Sequence, residues 1–220
     1  HYLYYIDYFV KIMNQKNSLG LNSCFLELND PIELFKVWMN EAKISEPNDP
    51  NALALATADK MGIPSVRMVL LKDFSNKGFV FYTNLESQKG NELKENPNAS
   101  MCFHWKSLLR QIRISGKLSQ VPDDIADEYY NSRKYDSRIG AWASKQSKII
   151  KNREDLYSSI EEYKKKFSEK ENVPRPKYWS GWILSPLVIE FWLDGNSRIH
   201  ERLQYVKNAQ DQWNKNLLSP

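Results

Sequence analysis

The stretch ALALATADKMGIPSVRMVLLKDFSNKGFVFYTN, residues 52–84, decides the fold. Ala52–Ala58 is short and apolar. Asp59-Lys60-Met61-Gly62 has the composition of a hairpin turn, since Asp and Gly suit its tight backbone geometry. Ser65–Lys72 then reads as a second strand, Asp73–Gly78 as a second turn and Phe79–Asn84 as a third strand. Neighbouring strands joined by turns this short pair antiparallel.

Working outward, Asp30-Pro31-Ile32-Glu33 is a helix start, with Asp as N-cap and Pro at the first position. Ile32, Phe35, Trp38 (or Met39) and Ala42 recur at helical spacing, and Glu46–Pro50 ends that helix. Downstream, Ser87–Glu95 is a short helix. Ala99–Trp105 and Leu109–Leu118 are strands, with Ile112, Ile114 and Leu118 on one face and Gln111 and Arg113 on the other. Helices are expected over Pro122–Ser132, Ser137–Ser144 and Asn152–Phe167. Gly181–Leu184, Val188–Leu193 and Arg198–Val206 read as closing strands. The class is α+β, a sheet or barrel of mainly antiparallel strands with flanking helices.

The composition is that of a folded globular chain: 220 residues, 41% hydrophobic, 26% charged. A net charge of +4 is too weak to imply a nucleic-acid partner. No apolar run suits a membrane span. Cys24 and Cys102 have no metal-like spacing, and with His1, His104 and His200 they form no ligand cluster; a reducing, cytoplasmic setting without a bound metal is expected. His1–Asp7 makes a poor signal peptide. Residues 1–12 are set aside from fold reasoning, with Met13 as the expected natural beginning. Residues 1–29 are taken as an N-terminal extension, partly flexible or artificial, and 30–220 as a single domain.

No glycine-rich phosphate loop is present, so a bound phosphate must rest on side chains and backbone amides. Arg67 and Lys72, five apart on one expected strand, would point to opposite faces. Lys89, at the start of a short helix and near Thr83 and Ser87, makes a plausible phosphate cradle. For any one lysine the bland alternative is a solvated surface cation. Tyr129 and Arg133, and more loosely Ser137, would share a helix face able to grip a phosphate monoester. Arg198, His200 and Arg202 would share a strand face, where three cations repel unless an anion lies there.

Five motifs, in order, carry a resemblance: Arg67–Lys72, Phe81–Asn84, Arg110–Arg113, Ile139–Ser147, and Glu190-Phe191-Trp192 with Arg198–Arg202. The chain resembles the pyridoxamine 5′-phosphate oxidases from about Asp30 to Pro220. The resemblance implies a split β-barrel homodimer with FMN in clefts at the subunit interface. It implies Arg67, Lys89 and Arg202 toward the FMN phosphate or ring, and Met68, Val69, Leu70, Leu71 and Lys72 along the flavin. Tyr82, Thr83, Gln111, Gln146, Ser147 and Trp192 would complete that site. Lys72, Tyr129, Arg133 and Ser137 would hold the substrate phosphate, with Arg198, Ile199 and His200 at the pyridine ring and Asp49 as an acid nearby. The implied reaction oxidises pyridoxamine or pyridoxine 5′-phosphate to pyridoxal 5′-phosphate, with FMN and molecular oxygen, releasing hydrogen peroxide. A flavin reductase or flavin carrier of the same barrel type, and a basic nucleic-acid-binding module, are the competing readings. The chain departs from the family pattern at Gln88 (usually Arg), Lys134 (usually Pro) and Leu217 (usually Arg). Asn14 and Asn17 stand where an Arg and a Tyr often cover the substrate.

Overall fold

The computed structural model describes residues 15–169 and 172–220; Met13, Asn14 and the rest of residues 1–14 lie outside them. Helix α1 (Pro31–Ser45) begins where the sequence places it. The Asp30 carboxylate accepts from Ile32 N, a cap that contributes about 1 kcal/mol. Its apolar stripe, with Ile32, Phe35, Trp38, Met39 and Ala42, is buried. Phe35 meets Phe103 edge-on at 5.3 Å, and Trp38 meets Phe191 edge-on at 5.2 Å. Both arrangements suit the aromatic quadrupole.

Strands β1 (Ala52–Ala58) and β2 (Pro64–Leu70) follow. Asp59 caps the turn between them by accepting from Met61 N and Ile63 N, and Gly62 supplies the positive φ of 82°. The segment after β2 departs from expectation. Residues 73–78 are not all turn: β3 (Asp73–Ser75) pairs with β4 (Gly78–Asn84) before and after a tight reversal. Then come α2 (Gln88–Glu95), β5 (Asn98–Trp105), β6 (Arg110–Gln120), α3 (Asp123–Ser132), α4 (Tyr135–Ala143) and α5 (Arg153–Lys166).

The closing strands also differ. Gly181–Leu184 and Val188–Leu193 are one continuous strand, β7 (Trp179–Leu193). Ser185-Pro186 does not break it, because Pro already has the extended φ a strand needs. Arg198–Val206 is not a strand throughout. Arg198 belongs to a short turn over Asn196–Arg198, and β8 (Glu201–Lys207) starts three residues later. A further strand, β9 (Trp213–Leu217), pairs with β8. The sheet order is β2-β1-β5-β6-β7-β4-β3, with β8 and β9 continuing from β7. Each pairing whose register is described is antiparallel. The expected α+β class holds.

The chain forms two compact units. One comprises the described residues up to Ala54 with Ser100–Gly116 and Pro186–Pro220; the other comprises Leu55–Ala99 and Lys117–Ser185. The first has an aromatic core of Phe25, Phe35, Trp38, Phe103, Phe191 and Tyr205. The second packs Phe79, Phe81, Leu93, Tyr130 and Leu184.

Candidate functional site

The second unit holds a cavity of about 1050 Å³. Its walls are β2, the end of β4, the start of α2, the α3–α4 junction, the loop after α4, and Trp179. Five cationic side chains line it, Arg67, Lys72, Lys89, Arg133 and Lys134, and none of the lining residues is Asp or Glu.

Lys89 sits in the first turn of α2, whose N-cap Ser87 accepts from Gly90 N. Position 90 must be glycine. A Cβ there would lie 2.4 Å from the Leu85 carbonyl oxygen, far inside van der Waals contact. The Lys89 ammonium is buried and bonds only to neutral oxygens: Thr83 Oγ1 at 3.1 Å, Ser87 Oγ at 3.3 Å and Gln146 Oε1 at 3.0 Å. Burial, then the nearby Arg67 charge, pulls its pKa down to about 8. A buried ammonium with no hydrogen-bonded carboxylate is expensive, and a bound anion would relieve that cost.

Arg67 donates to the Leu55 carbonyl oxygen at 3.2 Å and to the hydroxyls of Thr57 and Ser65. Its second nitrogen lies 3.4 Å from Glu92. Glu92 also accepts from Thr57, from Ser65 at 2.7 Å and from the Gln88 amide at 2.9 Å. Burial alone would raise its pKa, but these hydrogen bonds and the Arg67 charge outweigh it, so the net shift is downward. Gln88 therefore brings a neutral donor to the carboxylate in place of a further cation. Glu92 escaped the sequence reading, although it stands one helical turn after Gln88, where side chains meet.

At the other wall, Tyr82 and Tyr129 stack at 3.9 Å and 14°, and Trp179 lies 5.4 Å from Tyr82 at 11°. The Arg133 guanidinium lies over Trp179, 4.7 Å from the ring centroid. Its Nη1 is buried without a hydrogen-bond partner, and desolvation shifts its pKa down. Tyr129, Arg133 and Ser137 do not ride on one helix. Helix α3 stops at Ser132, Arg133 has extended backbone (ψ 149°), and Ser137 rides on α4. The three nonetheless line the same cavity. Nor do Arg67 and Lys72 sit on opposite faces of one strand. Lys72 follows the end of β2, and both side chains line one cavity. Met68, Val69, Leu70, Thr83, Gln146 and Ser147 also line it, whereas Leu71 is buried and does not. Trp179 was not foreseen; its signal was only an aromatic just after the 173–176 connector.

The remaining expected residues belong to the first unit. Glu190, nearly fully buried, accepts from Arg202 Nε at 2.8 Å and Arg113 Nη2 at 2.9 Å. Arg202 also donates to the Ser219 carbonyl oxygen at 2.8 Å. The expected shared strand face of Arg198, His200 and Arg202 is not there. Arg198 is in the turn with φ 63°, Ile199 is exposed, and only Arg202 lies on β8. His200 packs against Trp192, centroids 4.6 Å apart. Gln111 is half-buried on β6. Asp49 is exposed in the loop before β1, with φ 40°. Asn17 spends its side chain on its own turn, accepting from Leu19 N and Leu21 N and donating to the Phe25 carbonyl oxygen. Among the described residues no helix is long and apolar enough to cross a membrane.

Residues 40–167 match the family model described as pyridoxamine 5′-phosphate oxidase. Residues 179–220 match the pyridoxine 5′-phosphate oxidase C-terminal dimerisation region. A pyridoxine/pyridoxamine 5′-phosphate oxidase of Pelagibacter ubique is 71% identical over 208 residues, covering 94% of this chain and all of that protein. One from Allorhizobium ampelinum is 52% identical over 197 residues, covering 89% of this chain and 95% of that one. Among solved structures, PhzG from Burkholderia lata, in complex with tetrahydrophenazine-1-carboxylic acid, superposes with a TM-score of 0.84 at 30% identity, covering 94% of this chain and 100% of that one. The likeness bears out the split-barrel class.

Proposed function

The chain belongs to the pyridoxamine 5′-phosphate oxidase family, and from that premise we propose that it oxidises pyridoxamine and pyridoxine 5′-phosphate to pyridoxal 5′-phosphate using FMN and molecular oxygen. The observation that carries this reading is the cavity with five cations and no lining carboxylate. Two phosphorylated ring compounds need two anion grips and flat apolar surface between them.

The residues present fit FMN. Lys89, with Thr83, Ser87 and Gln146 around its ammonium, is a cation awaiting an anion, and Arg67 lines the same cavity. These would hold the phosphate tail, with Met68–Leu70 along the ring. When bound, FMN supplies a two-electron acceptor that dioxygen reoxidises with release of hydrogen peroxide. Arg133, whose Nη1 lacks a partner, would take the substrate phosphate with Lys72, Tyr129 and Ser137. A planar guanidinium can bind two phosphate oxygens at once, which orients as well as attracts. Arg198 would steady charge developing at the reacting end, since a guanidinium offers donors and no acceptor. Gln111, Trp192, Arg202, Ile199, His200 and Asp49 are assigned to the flavin and substrate on the family's pattern. For Arg202 the assignment means sharing its guanidinium with Glu190.

We also propose a homodimer with FMN at its interface, supported by the match of residues 179–220 to a dimerisation region. The test of the whole reading is one preparation. The purified protein should be yellow with a flavin spectrum, and pyridoxamine 5′-phosphate in air should yield peroxide and an aldehyde. A yellow protein without peroxide supports a flavin carrier or reductase instead; a colourless protein that takes up no added FMN overturns the reading. A monomer in solution would remove the dimer proposal alone.

A further inference from the structure

His200 closes a constrained turn. Gly195 opens it, and a Cβ there would lie 1.9 Å from the Ile199 carbonyl oxygen. Ser197 (φ 56°) and Arg198 (φ 63°) both adopt left-handed backbone, uncommon for residues with side chains. Ile199 N donates to the Asn196 carbonyl oxygen at 3.1 Å. The Trp192 indole covers the imidazole. In this setting the Gly195 backbone N–H donates to His200 Nδ1 at 3.2 Å. An Asp194 carboxylate oxygen also stands 3.0 Å from Nδ1. Both of these contacts are made at Nδ1.

One nitrogen cannot serve both neighbours in a neutral ring. It either accepts from Gly195 or donates to Asp194. A backbone amide has no other protonation state, and a protonated Nδ1 would face it donor to donor. The Gly195 contact has the geometry of a hydrogen bond, whereas the Asp194 oxygen is a near neighbour without one. The other charged groups on the flanking segments are engaged elsewhere or face solvent. Glu201 takes Lys16 and Asn22 N, Arg202 takes Glu190, and Arg198 is exposed.

We propose that the Gly195 amide fixes His200 with its proton on Nε2, so that the imidazole presents a hydrogen-bond donor to an oxygen of the bound substrate and does not take up the substrate's proton. Gly195 is thus a positioning residue acting through its backbone, and the Asp194 carboxylate is the partner that would give the opposite tautomer. The tautomer itself does not depend on the proposed function; the role in turnover rests on that reading.

The experiment has two arms on the full chain. Nitrogen-15 histidine spectra of the unmutated protein are recorded at about pH 8.5, where an ordinary imidazole is neutral. Only three histidines are present, and His200→Gln assigns the signal. Nε2 should carry the proton, and Asp194→Asn should leave that unchanged. A proton on Nδ1, or one that moves when Asp194 is changed, overturns the proposal. In turnover with pyridoxamine 5′-phosphate, Gln places its amide nitrogen near Nε2 and Asn places its own near Nδ1. His200→Gln should keep kcat within about tenfold, while His200→Asn should lose about a hundredfold, the range of one hydrogen bond to a charged group. The reverse order overturns the donor role. No turnover by the unmutated protein would sink the oxidase reading while leaving the tautomer result standing.

Discussion

Two clusters of cations, one in each compact unit, are partnered in opposite ways. In one, Arg113 and Arg202 converge on the carboxylate of Glu190. In the other, among the described residues, Lys89 hydrogen-bonds only to neutral oxygens and a buried Arg133 nitrogen has no hydrogen-bond partner. Desolvating a cation costs several kcal/mol unless a counter-charge compensates. The first arrangement is self-sufficient and belongs to the fold. The second leaves its charges unmatched by any carboxylate on the cavity lining, which is the ground for proposing it as the site.

The sharpest way to break this contrast is Lys89→Met. It should weaken FMN binding about a hundredfold, which a fluorescence titration reads, while the melting temperature of the FMN-free protein stays level or rises. Unchanged FMN affinity would place Lys89 among ordinary buried lysines. Arg133→Leu should raise KM for pyridoxamine 5′-phosphate between about tenfold and a hundredfold, with the FMN spectrum retained; loss of FMN instead would assign Arg133 to the wrong ligand. Glu190→Gln tests the other unit. It leaves two guanidiniums facing a neutral amide and should cost about 2 kcal/mol in urea unfolding, the buried-pair value reduced because Arg113 is half exposed. A loss of FMN affinity larger than the loss of stability would show that Glu190 serves the ligand.

pH sharpens the contrast further. The Lys89 pKa is depressed from 10.5 to about 8 in the FMN-free protein. Its folded form therefore releases a proton that the unfolded chain keeps, so this group's contribution to FMN-free stability rises as pH climbs from about 8 toward 10.5. A bound phosphate favours the ammonium, so FMN affinity should hold below about pH 8 and fall above it, and Lys89→Met should abolish that dependence. The smallest expected effect is Gln88→Arg. Adding a cation beside Glu92 should tighten FMN only a few-fold, because the new charge is partly spent on the carboxylate.

What could be read from the sequence follows from how local each signal is. The Asp30 cap, the α1 stripe and the Asp59–Gly62 turn depend on neighbours within a few residues, and each formed as expected. Lys89 near Thr83 and Ser87 was legible for the same reason. The failures arise where a chain reversal intervenes. Alternation was carried through Arg198 and His200, but two left-handed residues break the strand there. The helical face was carried through Arg133, but the chain straightens at that residue. Charge partnership was not legible at all. Nothing local says that Glu190 faces Arg113, 77 residues away, or that Glu92 faces Arg67, 25 residues away. The family resemblance implies which cations would meet a ligand, and the structure shows which already have partners.

Gly90 shows how far such a site reaches into positions that never meet a ligand. The first turn of α2 can approach the Leu85 carbonyl only because nothing projects from residue 90. The smallest side chain there would lever the helix outward and carry the neighbouring ammonium with it. In a saturation screen this silent position should therefore prove as intolerant as the charged residues it supports.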